Sequence, residues 1–254
     1  MEIISSVTIR PRVGSVYSHA WDIMKKYFLP LFLVLIILGV INLPTGILNE
    51  YTTIKLDSFG HGIDQIKIDE NVSFHWQHDS PISAGLILLK IFAIAYTLFV
   101  INPMRYGAAF LRLRAVRNES FEVKEIFDVF KNYLNVVLAA LLSTSIIVIG
   151  FIFLIIPGII FACRLAFVPY LVMDKKLDPV KAVEESWRLT KGYGWRIFGM
   201  ALLAILIAVG GLALLVVGII PAIIWITAAF ASMYHAVLLE RGEYQVENQE
   251  AILT

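Results

Sequence analysis

The chain has 254 residues, of which 59% are hydrophobic and only 16% charged, and its mean hydropathy is +0.78. This composition excludes an ordinary soluble domain and indicates an integral membrane protein. The formal net charge of +1 gives no indication of nucleic-acid binding, and the single Cys163 excludes an intrachain disulfide.

A polar, partly amphipathic segment leads into the first apolar run. Residues 1–12 show no helical period, and Ser15 is the expected N-cap of a surface helix that follows. The next run, 27–49, has 23 uncharged residues, which suffice for one span. We interpret it as an uncleaved signal anchor, since no small-residue cleavage site accompanies it. The helical period of the surface helix places these side chains on one face: Tyr17, Ala20, Trp21, Met24 and Tyr27.

Residues 49–81 form a polar loop with six acidic residues against Lys55 and Lys67. Its pieces TTIKLD and QIKID alternate apolar and polar residues, which predicts a small hairpin. The loop also holds imidazole and carboxylate groups of the kind that zinc prefers, but their spacing fits a helix face poorly and no cysteine joins them. We therefore predict neither a metal site nor a cofactor. The residues concerned are His61, His75, His78 and Asp79.

The second span covers 82–104, is interrupted by Lys90 and ends at Asn102-Pro103. Its helix is expected to continue through a basic segment at and beyond the membrane surface. Ser120 is the expected cap of a second polar-faced helix, FEVKEIFDVFKNY. The basic segment contains Arg105, Arg112, Arg114 and Arg117.

Two long apolar stretches must each fold back on themselves. Residues 132–173 carry one charge, Arg164, and residues 197–239 carry none. At about 1.5 Å per residue, either helix would be about twice as long as a bilayer core. Both stretches are therefore membrane hairpins, with turns predicted at Pro157-Gly158 and at 218–221.

A third surface helix lies between the two hairpins. Asp178 and Pro179 suit its N-cap and first turn, and Gly192 suits its end. The acidic tail at 240–254 is expected to be mobile. On this helix the period places one set of residues on the same face: Val180, Val183, Trp187 and Thr190.

The distribution of lysine and arginine predicts the orientation. Residues 1–27 contain four, 105–131 six and 174–196 six, whereas 49–81 contain two. By the positive-inside rule both termini and the three surface helices are cytoplasmic, and the acidic loop faces outward. The prediction is one integral membrane domain over 1–254, in the cytoplasmic (inner) membrane of a bacterium.

Three copies of one unit follow from the spacing of aromatic residues. Each unit has a surface helix, a span, an outer turn and a return span. Tyr106, Tyr170 and Tyr234 recur every 64 residues in the return spans. The alternative is that interfacial aromatics coincide by chance. The predicted fold is all-α, with six transmembrane helices, three cytoplasmic interfacial helices and a threefold internal repeat.

Two basic residues within the spans are the candidate ligand-binding groups. Arg164 lies about 10 Å inside the predicted turn, and Lys90 lies at similar depth in the second span. They could share one outward-facing pocket for an anion, or they could snorkel or cap helix ends. The tyrosines of the return spans are further candidates for the lining of such a pocket: Tyr106, Tyr170 and Tyr234.

Residues on the surface helices are candidates for contact with a partner or with the membrane interface. The helices could bind an anionic lipid or a protein, although each also carries acidic residues. The candidate positions are Trp21, Phe127, Trp187 and Arg188.

The chain lacks the common catalytic signatures. No Asp or Glu lies inside a predicted span, which argues against a proton relay or an intramembrane aspartyl protease. HExxH, GxSxG, Walker-loop and CxxC patterns are also missing from the sequence. We therefore expect no enzymatic activity.

The segment 155–198 is similar to a bacterial multi-pass family. It resembles the membrane domain fused to some glycerophosphoryl diester phosphodiesterases, together with related stand-alone proteins. The resemblance implies a role in membrane organisation or as an accessory protein, and it transfers no catalytic residue. It depends on Pro157-Gly158, Arg164, Pro169-Tyr170, Asp174, Ala182, Ser186, Trp187, Thr190 and Lys191.

Two functions compete on this basis. The first is a scaffold or accessory subunit whose partner is a membrane or cytoplasmic protein. The second is a transporter or channel for a small or lipidic anion that uses Arg164 and Lys90. A solvated cavity lined by both cations would favour transport.

Overall fold

The computed structural model describes residues 9–63 and 81–244, without the side chains of 51–63, 81–84 and 215–217. Within these ranges the chain is helical and contains no strand. The elements in chain order are α1 (Val13–Lys26), α2 (Phe28–Ile63), α3 (Pro81–Tyr96), a π-helical segment (Thr97–Ile101), α4 (Asn102–Val116), a 3-10 helix (Val123–Asn132), α5 (Tyr133–Phe153), α6 (Ile155–Arg164), α7 (Val168–Asp174), α8 (Pro179–Thr190), α9 (Gly194–Ala213) and α10 (Leu215–Glu240).

Six helical stretches of the described ranges are long and apolar enough to cross a membrane. This confirms the predicted all-α fold with six candidate spans. Each stretch has at least 20 residues, so each reaches about 30 Å, the thickness of a bilayer core. The stretches are Phe28–Glu50, Gly85–Val116, Val123–Phe153, Ile155–Asp174, Gly194–Ala213 and Gly218–Glu240.

The helix of the second span continues past Pro103, as predicted, because the backbone around the proline is satisfied in another way. A proline within a helix cannot donate to the carbonyl four residues earlier, and its ring crowds that carbonyl. Here the π-helical segment Thr97–Ile101 directly precedes α4, which has its proline at the start. The freed carbonyl of Phe99 accepts a hydrogen bond of 2.7 Å from the hydroxyl of Tyr133. A side chain of α5 thus satisfies the backbone that Pro103 leaves open.

Both membrane hairpins turn at a single residue, and not at the predicted proline and glycine positions. Leu154, with φ −165° and ψ 154°, is the link between α5 and α6. Leu214, with φ −85° and ψ 22°, separates α9 from α10. Pro157 lies in the first turn of α6, where a missing N–H costs nothing.

The glycines near these turns allow close contact between the paired helices. A Cβ on Gly158 would lie 2.5 Å from the Phe151 ring, and one on Gly150 would lie 3.0 Å from Gly158 Cα. At the second turn, a Cβ on Gly211 would lie 2.9 Å from the carbonyl oxygen of Gly218. The glycines that suggested a turn therefore lie where the paired helices are in contact, a few residues from the position at which the chain reverses.

Three surface elements gather at one end of the bundle, which we name the basic end. They are α1, the 3-10 helix and α8, and each packs on a different return helix. Helix α1 packs on α10, the 3-10 helix on α4, and α8 on α7 and α5. The first and last helices of the described chain are thereby in contact.

The protein core lies at the basic end. The largest fully buried side chains belong to elements that meet there, among them Met104, Phe167, Leu189 and Tyr234. Side chains at the hairpin turns are exposed instead, with 77% of Ile152 and 73% of Leu214 accessible. A bilayer is the solvent that such an apolar exterior requires.

Several predicted details of local structure are wrong. Residues 52–57, TTIKLD, continue α2 as a helix and form no strand, so the first half of the predicted hairpin is overturned. Its second half, QIKID, lies outside the described residues. Helix α1 begins two residues before Ser15, with Arg12 as its N-cap. Glu122, not Ser120, is the N-cap of the second surface element, and this element is a 3-10 helix.

The orientation of α8 also differs from its predicted face. Thr190 is buried as expected, but Val180 is 59% and Trp187 40% exposed. The helix instead buries Ala182, Ser186 and Leu189 against α5 and α7. Its predicted boundaries are confirmed: Asp178 is the N-cap, Pro179 begins the helix, and Gly192 follows it with φ +91°. The hydrophobic period predicted that the larger apolar residues would form the buried face. In the structure the small residues Ala182 and Ser186 are buried, because they allow α8 to pack closely on its neighbours.

Candidate functional site

Arg164, the first candidate cation, lies at the C-terminal end of α6 beside α8. Its backbone carbonyl accepts hydrogen bonds from Ser186 Oγ at 2.7 Å and from Thr190 Oγ1 at 3.3 Å. These hydroxyl groups satisfy a helix end that would otherwise be open. The guanidinium of Arg164 lies 5.6 Å from the centre of the Trp187 ring, which is a cation–π contact.

Lys90, the second candidate cation, lies on α3 and donates a hydrogen bond to Asn49 Oδ1 at 3.4 Å. Asn49 is 21 residues after the start of α2, so this contact lies about 30 Å from the basic end. Arg164 in contrast contacts α8, a surface element of the basic end. The structure thus places the two cations in different regions and does not form one shared pocket from them.

The three candidate tyrosines are buried, and two of them form a pair. The rings of Tyr170 and Tyr234 are stacked, with centres 5.1 Å apart and planes 15° from parallel. Phe167 contacts Tyr234 edge-on at 5.5 Å. Tyr106 is 6% exposed, and its hydroxyl lies beside that of Ser143 on α5. The return helices α7 and α10 thus meet through aromatic rings.

A buried ion pair lies beside the tyrosine stack. Arg117, just after α4, donates to both carboxylate oxygens of Asp174, at 2.6 and 2.7 Å. The Tyr234 hydroxyl donates to the same carboxylate at 3.1 Å. The side chains of Arg117 and Asp174 are 8% and 7% exposed. One carboxylate therefore joins the ends of α4, α7 and α10.

Sequence reasoning missed this centre because it placed Arg117 at or beyond the membrane surface and found no acidic residue inside a span. Asp174 is the last residue of the fourth candidate span, so it escaped that search by one position. A usable signal was present: an arginine directly follows one return helix and an aspartate is the last residue of the next. Bidentate pairing is the geometry that arginine and carboxylate favour.

The environment of Arg117 explains how its charge is tolerated. Burial lowers the pKa of the Arg117 guanidinium, but hydrogen bonds and attraction from Asp174 outweigh this and raise the pKa above its ordinary value. The guanidinium also lies 4.8 Å from the centre of the Tyr244 ring. That ring in turn contacts His235 edge-on at 4.7 Å.

The end of the chain that the structure describes is well packed. Glu243 pairs with Lys175 at 3.1 Å and with Arg188 at 2.6 Å. Arg241 donates to three backbone carbonyls at the end of α8. The prediction of a mobile tail from residue 240 is therefore wrong for 240–244. The remainder of that tail lies outside the described residues.

The four candidate interface residues differ in surroundings. Trp21 contacts Trp225 at 4.8 Å between ring centres, and Phe127 stacks on Phe130 at 6.4 Å. Trp187 contacts both Phe161 and Arg164. Arg188 forms ion pairs with Glu185 and Glu243, and its hydrogen bonds lower the pKa of the Glu185 carboxyl. Each ring keeps at least 40% of its residue's surface exposed.

No group of three metal-ligating side chains occurs among the residues that the structure describes. Of the loop residues considered above, His75, His78 and Asp79 lie outside this part of the chain. The structure therefore does not test the prediction that this loop holds no metal site.

Comparison of the chain with protein-family models, with curated proteins and with solved structures gives no match. The resemblance to the membrane domain of glycerophosphoryl diester phosphodiesterases therefore stays a prediction. What the geometry establishes is a basic end in which an arginine, an aspartate and a tyrosine from the ends of three return helices are hydrogen-bonded together.

Proposed function

We propose that this chain is a non-enzymatic membrane protein that acts as a scaffold or accessory subunit through its basic end. One observation carries the proposal: the Asp174 carboxylate receives hydrogen bonds from Arg117 and from Tyr234. Charged groups buried in a bundle either serve a transported solute or hold the bundle together. Arg117 and Tyr234 together satisfy both oxygens of the Asp174 carboxylate, which favours a static, cross-linked end.

The packing of the surface elements supports the same interpretation. Each surface element lies on the return helix of the preceding unit, and α1 lies on the last one, α10. This recurring arrangement supports the threefold repeat inferred from tyrosine spacing. Parallel units of this kind produce one face on one side of the membrane, in contrast to the inverted repeats of many transporters.

The proposed location is the cytoplasmic membrane of a bacterium, with both termini and the basic end in the cytoplasm. It is supported by the excess of lysine and arginine at that end. The proposed partner is a membrane or cytoplasmic protein that contacts α8 and the 3-10 helix. Exposed Trp187 and Phe127 are suited to such contact, since aromatic residues are enriched in interfaces.

Site-specific photo-crosslinking in the native membrane tests the proposal. A photoreactive residue replaces Val180, which is 59% exposed on α8, and in a matched control it replaces Ile152 at the far end. We expect a discrete protein adduct from position 180 and lipid adducts from position 152. The adduct should weaken with Trp187→Ala. Lipid adducts from both positions would contradict the proposal.

The alternative is transport of a small or lipidic anion, and one observation favours it. The Nη1 atom of Arg164 is buried without a hydrogen-bond partner in the described residues. A purified protein reconstituted in liposomes should then catalyse uptake of labelled phosphate or movement of a labelled anionic lipid. Loss of that flux on Arg164→Leu, with crosslinking at position 180 unchanged, would replace the scaffold by a transporter.

A further inference from the structure

Two cations at the basic end hold one carboxylate between them. Lys175, which directly follows α7, donates to one oxygen of Glu243 at 3.1 Å. Arg188, on α8, donates to the other oxygen at 2.6 Å. We name Lys175 and Arg188 the cation clamp. Because each oxygen has a cation of its own, the clamp has the spacing that a carboxylate group requires.

The carboxylate in the clamp belongs to the segment that follows α10. The helix ends at Glu240, and Gly242 has a φ of +74°, a conformation that favours glycine. Arg241, before this turn, is bonded to the backbone carbonyls at the end of α8. Beyond the turn, Glu243 enters the clamp, and Tyr244 lies over a neighbouring guanidinium at 4.8 Å. We name residues 242–244 the strap, and Gly242 is the position at which it can swing away.

The ion pairs of the clamp can exchange, in contrast to the buried pair beside them. The side chain of Arg188 is 51% exposed and that of Glu243 is 21% exposed. Both side chains of the Arg117–Asp174 pair are less than a tenth exposed. Ion pairs that water reaches contribute little to stability, so another carboxylate can replace Glu243 at small cost.

Arg188 also has a donor to spare for an external ligand. Its Nε and Nη2 atoms bind Glu185 at 2.8 and 2.5 Å, and Nη2 also binds Glu243. The Nη1 atom donates to no residue in the described part of the chain. The planar guanidinium can therefore receive a new carboxylate through Nη1 before the Glu243 carboxylate leaves.

We propose that the cation clamp binds an acidic segment of a partner protein, and that Glu243 occupies the clamp until this segment displaces it. A protein carboxylate is the favoured ligand, because a glutamate side chain is bound there in the structure. Arg188 lies on α8, the helix that contacts the partner in the scaffold proposal, so this inference rests on that proposal. It adds the chemistry of the partner and a regulatory step, the release of the strap.

Titration of a fluorescent hexaglutamate peptide with the purified full-length protein tests the clamp, with hexaglutamine as the uncharged comparison. Glu243→Gln removes the internal competitor. We expect it to tighten hexaglutamate binding about tenfold, the equivalent of two partly exposed ion pairs. Arg188→Gln in the same background should abolish the gain. If that variant does not fold, Lys175→Gln takes its place, since it removes the other side of the clamp.

Asp22→Asn is the matched control, because it also removes one carboxylate from an ion pair at the basic end, the pair with Lys25. It leaves the clamp occupied by Glu243, so we expect the affinity of the wild type.

Three results would overturn the proposal. The first is equal hexaglutamate binding by Glu243→Gln and the wild type. The second is an equal gain in Asp22→Asn, which would show a general effect of charge. The third is binding of Glu243→Gln to phosphatidylglycerol nanodiscs but not to hexaglutamate, which would assign the clamp to a lipid surface.

The titration uses no cellular partner, so its outcome is separate from crosslinking at position 180. A discrete adduct from position 180 without a gain in Glu243→Gln would retain the scaffold and reject the clamp. A gain without an adduct would retain the clamp as a carboxylate site and reject the scaffold.

Discussion

Arg117 and Asp174 are 57 residues apart in the chain and form a bidentate ion pair with N–O distances of 2.6 and 2.7 Å. Both side chains are less than a tenth exposed. The pair joins the end of α4 to the end of α7, and the Tyr234 hydroxyl adds α10 to it. The pair therefore links three return helices at the basic end.

Breaking this pair should strongly destabilise the protein. Arg117→Met leaves the Asp174 carboxylate buried without its counter-charge, which costs about 3 to 5 kcal/mol. Replacing both residues, as Arg117→Met with Asp174→Leu, should restore much of that loss because no charge is left unpaired. Thermal unfolding in detergent measures both. Asp22→Asn is the control, since its pair with Lys25 is exposed and is worth less than about 1 kcal/mol.

Tyr234 should contribute separately through its ring and its hydroxyl. Tyr234→Phe keeps the stack on Tyr170 and loses the bond to Asp174, so we expect a loss of about 1 kcal/mol. Tyr234→Ala also removes the ring from the core, with an expected loss of about 3 to 5 kcal/mol. Similar losses for the two variants, measured by thermal unfolding, would assign the stabilisation to the hydrogen bond alone.

Gly107 should be intolerant of any side chain. A Cβ there would overlap the backbone oxygen of Ile126, so the 3-10 helix would have to move away from α4. We expect Gly107→Ala to cost about 1 to 3 kcal/mol. Gly39→Ala, in α2 with no atom within 4 Å, should instead be neutral or slightly stabilising. A Gly107→Ala variant as stable as wild type would mean that this helix contact is loose.

Acidification should destabilise the protein through His19. Burial lowers the pKa of this histidine, and the Val116 carbonyl and Asp22 offset only part of the effect. Below about pH 6.5 the unfolded chain then binds more protons than the folded one. The free energy of unfolding therefore decreases as the pH is lowered through this range. His19→Gln should reduce this slope between about pH 6.5 and 5. An unchanged slope would assign it to other groups.

The proposed orientation predicts which surfaces a membrane-impermeant thiol reagent reaches. In a Cys163→Ala background, Lys25→Cys, Lys124→Cys and Lys181→Cys each place a thiol at an exposed position of the basic end. We expect labelling in intact cells to fail at all three and to appear after the cytoplasmic membrane is permeabilised. Labelling of Lys181→Cys in intact cells, under conditions that leave a cytoplasmic marker protein unlabelled, would reverse the orientation.

Composition and hydrophobic patterning were enough to predict the fold class and the number of candidate spans. Apolar runs of known length leave few solutions in a bilayer, since every backbone group must be satisfied inside a helix. Proline and glycine marked the approximate places of the hairpins. They did not locate the turns, because Gly150 and Gly158 serve close packing while Leu154 reverses the chain.

Which charges are neutralised depends on how the helices pack. Sequence analysis selected Arg164 and Lys90 because they interrupt apolar runs, yet the structure places them apart. The pairing of Arg117 with Asp174 depends on how α4 and α7 approach each other. Composition and period report how each helix meets the membrane. The contacts between residues more than 50 positions apart arise only when the helices pack, which no local pattern encodes.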